Sequence, residues 1–287
     1  MQTVHTLDPL RSAVAALREA GPVALVPTMG ALHEGHLTLV REARRHARGV
    51  VVSIFVNPLQ FGAGEDLDAY PRQLARDSAL LEAEGVDVLW APTVEAMYPA
   101  GFASNISVAG VSEGLCGGAR PGHFDGVATV VCKLFNQVLP DVALFGEKDW
   151  QQLAVIRRMA RDLDLTRPAA DAILGVETVR EEDGLARSSR NAYLSPEERK
   201  AAVALPRAMH RAIAGIEGGE DVAQALEALK AEIIAGGFAS VDYAELRDAE
   251  SLATLKARAS RPMRLLAAAR IGPARLIDNM PVAAAPQ

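Results

Sequence analysis

The stretch Val23–Arg48, VALVPTMGALHEGHLTLVREARRHAR, carries the parts of a strand, a glycine loop and a helix in that order. Val23-Ala24-Leu25-Val26 is a short apolar run of the kind that fills a buried strand, and Pro27 is expected to end it. From Leu37 the apolar residues recur at 37, 40, 43 and 47, which is helical spacing. Between them Thr28, Gly30, His33, Gly35 and His36 are small or polar. A glycine loop leading from a strand into a helix exposes backbone N–H groups, with the positive end of the helix dipole behind them. That combination makes an anion site, typically for phosphate.

His33 and His36 are three residues apart and share a face of the first helical turn. A His-x-Gly-His pair there can hold nucleotide phosphates and stabilise charge that develops during transfer. Other readings of the pair compete. A zinc protease needs His-Glu-x-x-His, with the histidines four apart. A P-loop needs Lys-Ser/Thr after its second glycine, and here His36-Leu37 follow Gly35. A structural turn with solvent-facing histidines needs nothing further.

Working outward, Pro9–Ala20 reads as a helix leading into the first strand. Val50–Val56 is a continuous β-branched run suited to a strand buried on both faces. With the 37–48 helix between them, the two strands form a right-handed βαβ unit and lie parallel. Asn57-Pro58-Leu59-Gln60-Phe61-Gly62 follows at the carboxyl end of the second strand, the edge at which open α/β sheets bind ligands. Asn57 and Gln60 are therefore candidate hydrogen-bonding groups for a polar substrate, although Asn-Pro also favours a plain turn. A helix over Leu67–Glu84 and a strand over Val86–Trp90 come next. An irregular, glycine-rich stretch follows over Met97–Gly118, then Arg120–Gly126 and a helix over Val127–Val138. Asp141–Phe145 reads as a strand, and Gly146-Glu147-Lys148-Asp149 joins it to a helix carrying Leu153, Ile156, Met159 and Leu163. Lys148 thus stands at another strand-to-helix junction, where an ammonium can neutralise phosphate oxygens. Gln152 lies one turn on. Val176–Arg180 is expected to be the last strand of this domain, and the charged Glu181–Arg187 reads as a hinge. Ser188-Ser189-Arg190-Asn191 is a phosphate clamp or an ordinary polar loop; a capping box with Pro at N1 follows at Ser195–Glu198.

The remainder changes character. Two Ala-rich helices over Glu197–Ile216 and Asp221–Ala235 precede strands over Val241–Arg247, Arg264–Ile271 and Ala274–Asn279. The expected architecture is α/β: a Rossmann-like parallel sheet with flanking helices over 1–179, plus a small α+β domain over 180–287.

The 287-residue chain is 49% hydrophobic, enough for a sizeable core. A formal charge of −6 argues against broad nucleic-acid binding. Five lysines stand against 25 arginines, so a lysine in a polar motif draws notice. Cys116 and Cys132 suggest neither a disulfide framework nor a metal cluster, and Cys132 falls in an apolar helical pattern, as a core thiol does. No apolar run approaches the roughly 18 residues of a membrane span. A soluble, reducing, cytoplasmic setting is expected.

PTMGALHEGH at 27–36, SIFVNPLQF at 53–61, RPGHFDGV at 120–127, FGEKDWQQL at 145–153 and DGLARSSRNAYL at 183–194 are each weak signals alone. In this order and spacing the chain resembles the pantothenate synthetase (pantoate–β-alanine ligase) family of the HIGH-type nucleotidylyltransferase superfamily. The resemblance covers nearly the whole chain, from Val23–Gly30 to Arg275-Leu276-Ile277-Asp278-Asn279. It implies that pantoate attacks the α-phosphate of ATP to give pantoyl adenylate and pyrophosphate, and that β-alanine then displaces AMP to give pantothenate. It further implies that Met29, Gly30, Ala31, Leu32, His33, Glu34, Gly35 and His36 form an ATP loop, with His36 as proton donor and Gly30 and Gly35 allowing close backbone approach. Gly146, Glu147, Lys148 and Asp149 would form a second ATP-binding turn, Val179 would lie beside adenine, and Arg187, Ser188, Ser189 and Arg190 would close over the triphosphate. Catalysis would fall to His36, His33, Lys148 and Arg190. Gln60, Gln152 and Asn57 would bind pantoate, and Gln60 also β-alanine. Mg²⁺ held mainly by phosphates is implied, with Asp77 a candidate second partner. So are a homodimer formed through the N-terminal domain and a lid action of the C-terminal domain. Arg187 departs from the family, which usually carries Leu or Met before Ser-Ser-Arg. An adenylyltransferase of cofactor synthesis would share the His-x-Gly-His loop but leave NPLQF and FGEKDWQQ without a role. A non-catalytic nucleotide-binding regulator would not need His33, His36 and Lys148 together.

Overall fold

A computed structural model describes residues 1–62, 67–68 and 70–285. Ala69 of the helix expected over 67–84, and the last two residues of the expected C-terminal domain, lie outside it. The chain divides into two compact units. One comprises Met1–Ser112, Arg120–Glu147 and Val155–Glu177; the other comprises Glu113–Ala119, Lys148–Ala154 and Thr178 onward.

Among the described residues, the first unit holds a parallel sheet of β1 (Gln2–Val4), β2 (Val23–Thr28), β3 (Gly49–Ile54), β4 (Val88–Trp90), β5 (Val142–Gly146) and β6 (Ile173–Val176). The strand order is β1-β4-β3-β2-β5-β6. Every pairing is parallel, because each strand returns through a crossover. Val23–Val26 and Val50–Val52 are buried on both faces, which is why they read as unbroken apolar runs. The strand order reverses between β2 and β5, and ligand crevices form at the carboxyl ends of strands flanking such a reversal. The Met29–His36 loop leaves β2 at that end, and Asn57–Phe61 follows β3.

Several boundaries differ from the sequence reading. Pro27 does not end β2: it pairs in register with Ser53, and Thr28 with Ile54. The β2–β5 pairing runs through Ala24 and Leu25, so at Pro27 the strand is laddered to β3 on one side, a position that tolerates a missing N–H. The helix expected over 67–84 is confined to Leu74–Ala83. The helix expected from Val127 starts at His123, where Gly122 at φ +79° turns the chain into it. Strand β6 lies at Ile173–Val176 rather than Val176–Arg180, and Arg180 instead bridges Ala186 in a short hairpin. Cys132 is half-buried, not a core thiol, while Cys116 is buried.

In the second unit β7 (Ser240–Asp248), β8 (Met263–Ile271) and β9 (Ala274–Val282) form an antiparallel sheet. Helices Ala204–Glu217 and Val222–Ala235 share a core with it through Leu205, Met209, Ile216, Leu229, Ile233, Leu265 and Met280. The single helix expected over 197–216 is two, Pro196–Ala201 and Ala204–Glu217. No helix of the described residues is long and apolar enough to cross a membrane.

Candidate active site

The loop after β2 turns on two left-handed residues, Gly30 at φ +82° and Ala31 at φ +51°. Ala31 carries a side chain in a conformation that disfavours one, so something must hold it there. The holder is Asp77, fully buried on helix Leu74–Ala83. Its Oδ2 accepts the Ala31 N–H at 2.8 Å and its Oδ1 accepts the Leu32 N–H at 3.0 Å. A Cβ on Gly30 would stand 3.1 Å from Asp77 Oδ2, so glycine lets the carboxylate approach. Both Asp77 oxygens are thereby engaged in shaping the loop.

His33 and His36 form the N-terminus of helix Glu34–His46 by capping each other. The Gly35 N–H donates to His33 Nδ1 at 3.1 Å, and the His33 N–H donates to His36 Nδ1 at 3.3 Å. In each ring Nδ1 accepts, which puts the proton on Nε2. The rings stack at 4.1 Å between centroids. Gly35 is required here because a Cβ would lie 2.9 Å from His33 Cε1. The expectation of bare amides is corrected: Gly30 N–H donates to Thr28 Oγ1, and those of Ala31, Leu32, His33 and Gly35 have partners within the unit.

Asn57, 1% exposed, caps the short 3₁₀ turn Pro58–Gln60. Its Oδ1 accepts from Leu59 N–H and from Tyr98 OH, the latter at 2.7 Å. Its Nδ2 donates to Gly126 O and to Gln60 Oε1. Every polar atom of the Asn57 side chain thus has a partner within the unit, and its Nδ2 supports Gln60. Gln60 Nε2 donates to Met29 Sδ at 2.9 Å, which ties the turn to the His33–His36 loop. A thioether is a weak acceptor that a carboxylate or hydroxyl readily outcompetes. Burial holds the Tyr98 phenol well above its ordinary value, so it remains a donor to Asn57.

RPGHFDGV, left without a role by the sequence reading, packs under this turn. His123 Nδ1 and Arg120 Nη2 both reach Gln60 O, at 2.8 and 3.3 Å, and Arg120 Nη1 lies 2.9 Å from His123 Nε2. Gly126 meets the turn backbone: a Cβ there would fall 2.2 Å from Leu59 O.

In the second unit, Lys148 Nζ lies 3.7 Å from Asp149 Oδ2 within the turn Glu147–Asp149. Lys148, Ser188 and Asp278 line one small cavity. Val179 O accepts the Arg187 N–H, closing the hairpin that delivers Ser188, and the Ser188 side chain accepts the Arg190 N–H. Arg187 turns its guanidinium to Glu181, Nη2 to Oε2 at 2.8 Å. Gln152 is half-buried on helix Trp150–Asp162. The neighbouring Gln151, which the sequence reading passed over, bonds Cys116 N–H and the carbonyls of Glu113 and Gly114. Glu147 ends a segment of the first unit and Lys148 opens a segment of the second.

With this geometry in hand, comparison with known proteins is specific. A family model described as pantoate-beta-alanine ligase matches residues 2–281. A pantothenate synthetase of Novosphingobium aromaticivorans is 70% identical over 283 residues, covering 98% of this chain and 99% of the relative. One of Sphingopyxis alaskensis is 60% identical, covering 98% and 100%. The crystal structure of pantothenate synthetase from Thermus thermophilus matches with a TM-score of 0.90 at 51% identity, over 99% of this chain and 100% of that one. A Francisella tularensis pantoate-beta-alanine ligase, complexed with beta-gamma ATP and beta-alanine, matches with a TM-score of 0.81 at 33% identity, over 98% and 97%.

Proposed function

The chain belongs to the pantoate–β-alanine ligase family, and from that premise we propose that it condenses (R)-pantoate with β-alanine at the expense of ATP, through a pantoyl adenylate. The observation that carries the reading is the reciprocal cap of His33 and His36, which fixes two Nε2 protons at the helix start following β2. In the first step a pantoate carboxylate oxygen bonds to the α-phosphorus of ATP and the bond to pyrophosphate breaks. Positioning and charge stabilisation carry such a transfer. His33 and His36 hold the phosphates through Nε2–H, with His36 donating toward the leaving oxygen. Because most loop amides are already bonded, these imidazoles, Lys148 Nζ, the Ser188 and Ser189 hydroxyls and Arg190 supply the donors. Met29 through His36 and Gly146 through Asp149 flank the nucleotide, and Val179 lies against adenine. In the second step the amine of β-alanine attacks the acyl carbon; the C–N bond forms, AMP departs and the amine loses a proton.

Gln60 and Gln152 hold pantoate, Gln60 also meets β-alanine, and Asn57 acts through Gln60. Mg²⁺ would be held mainly by the phosphates and would supply charge neutralisation there. Asp149, 46% exposed beside Lys148, offers the hard oxygen donor such an ion takes. A boundary near 180, lid action of 180–287 that shields the adenylate from water, a homodimer and a cytoplasmic location belong to the same reading. The test is pyrophosphate release from ATP and Mg²⁺ with pantoate, with and without β-alanine. Release that requires pantoate, with AMP and pantothenate appearing only once β-alanine is added, supports the ligase; ATP binding without pantoate-dependent release refutes it.

A further inference from the structure

Strand β9 alternates except where Asp278, Asn279 and Met280 are buried in succession. Ala274, Leu276, Met280 and Val282 face the core of the second unit, and the position between Leu276 and Met280 on that face is Asp278. A carboxylate in the middle of an apolar face is against the pattern, and it is 3% exposed. Arg180 meets it bidentately at 2.7 and 2.9 Å and also donates to Gly184 O, so the guanidinium spans the 180–186 hairpin that leads into Ser188. The neighbouring Asn279, also 3% exposed, leaves the strand on the opposite face. Its Nδ2 donates to Lys148 O at 2.9 Å and its Oδ1 accepts from Arg264 at 2.5 Å. The Arg264 guanidinium lies 3.5 Å from the Trp150 ring centroid, and Trp150 Nε1 donates to Ala249 O. Two adjacent residues of one strand therefore grip two segments far apart in sequence, the Lys148 turn and the hairpin into Ser188–Arg190.

A buried ion pair adds little net stability compared with apolar residues of the same volume, so stability alone is a poor reason for Asp278 to interrupt the core. We propose that Asp278 and Asn279 are positioning residues that lock Lys148 and the Ser188–Arg190 loop into one fixed phosphate-binding arrangement. The proposal rests on the ligase reading above. In it, the cations that meet the triphosphate are set by β9, and loosening either grip displaces a donor without removing it. A displacement near 1 Å is enough to cost on the order of a hundredfold in a positioned reaction.

The experiment is a double-mutant cycle on pantoate-dependent pyrophosphate release, with thermal unfolding followed in parallel. Asn279→Ala is expected to lower kcat/KM for ATP by about tenfold or more and to leave the KM for pantoate within about twofold. Combined with Lys148→Ala it should add less than about twofold, because the group it positions is gone; combined with His36→Gln it should keep its full effect. Asn279→Asp keeps an acceptor for Arg264 and loses the donor to Lys148 O, so it should be impaired like Asn279→Ala. This variant carries the same test should Asn279→Ala fold poorly. Asp278→Asn should couple in the same way to Arg190→Ala. A fully additive cycle, or Asn279 variants within about twofold of wild type, would overturn the proposal while the ligase reading stood. A wild-type chain without pantoate-dependent release would instead overturn the ligase reading, and this proposal with it.

Discussion

His123 Nδ1 lies 2.8 Å from the carbonyl oxygen of Gln60, sixty-three residues away in sequence. A carbonyl can only accept, so Nδ1 carries the proton and Nε2, 2.9 Å from Arg120 Nη1, accepts from the guanidinium. The imidazole thus works as a neutral relay that fixes the backbone of the residue proposed to hold pantoate. His123→Ala is expected to leave ATP binding intact and to raise the KM for pantoate by roughly fivefold to a hundredfold, the equivalent of about 1–3 kcal/mol for a buried acceptor losing its donor. Steady-state kinetics with pantoate varied at saturating ATP measures it; an unchanged KM would mean that Arg120 alone holds the turn.

Asp77 makes a second prediction. Its carboxylate satisfies two amides of a loop that includes a left-handed alanine. Asp77→Ala leaves both N–H groups without their acceptor, at about 1–3 kcal/mol each, so urea unfolding should show a loss of about 2–6 kcal/mol. The released loop should also weaken ATP binding, because the His33–His36 cap stands on it. Asp77→Asn retains one accepting oxygen and should fall between the two. Unaltered stability in Asp77→Ala would mean that the loop holds its own shape.

What the sequence disclosed and what it concealed divide along physical lines. Strands β2 and β3 are buried on both faces, so their apolar runs are unmistakable. Strand β1 is three residues long, Gln2-Thr3-Val4, too short for any period to appear. Strand β6 contains Gly175, whereas the more β-branched Val176–Val179 drew the expectation toward itself. Within the candidate site, His33, His36 and Lys148 stood out because strand-to-helix junctions announce themselves through glycine and polar residues, and Ser188–Arg190 because two hydroxyls and a guanidinium stand together. The contacts made by Asp77, Tyr98, His123 and Asn279 were not legible, since each acts on a segment distant in sequence and looks locally like an ordinary helix, turn or strand residue. For His123 a signal existed in the RPGHFDGV motif, but only the folded chain says what it touches.

Tyr98 predicts an alkaline effect. Burial raises its phenol above the ordinary value of 10.0, while in the unfolded chain it titrates normally. Above pH 10 the unfolded state loses a proton that the folded state keeps, so unfolding is favoured increasingly. The contribution is complete below pH 10 and is lost as pH climbs toward the folded value. Tyr243, buried beside Cys116, is raised as well and acts in the same direction. Tyr98→Phe should therefore flatten the fall in urea midpoint above about pH 10 without abolishing it, and should cost about 1 kcal/mol at pH 7 for the bond lost to Asn57. Parallel slopes for wild type and variant would mean that Tyr98 titrates normally in the folded chain.

Arg187 stands where the family resemblance leads one to expect Leu or Met, and its side chain has an ion-pair partner. The guanidinium reaches Glu181 across the base of the hairpin, at 2.8 Å, with the two side chains 34% and 30% exposed. An ion pair of that exposure contributes about 0–1 kcal/mol. The Arg187 N–H, which any residue other than proline supplies, makes the bond to Val179 O that closes the hairpin. The backbone geometry delivering Ser188 is therefore independent of the side chain. Arg187→Met is expected to keep the KM for ATP within about twofold and the stability within about 1 kcal/mol. A larger rise in that KM would show that the guanidinium leaves Glu181 for the triphosphate when nucleotide binds, and Glu181→Gln, which frees it to do so, would then lower the KM instead.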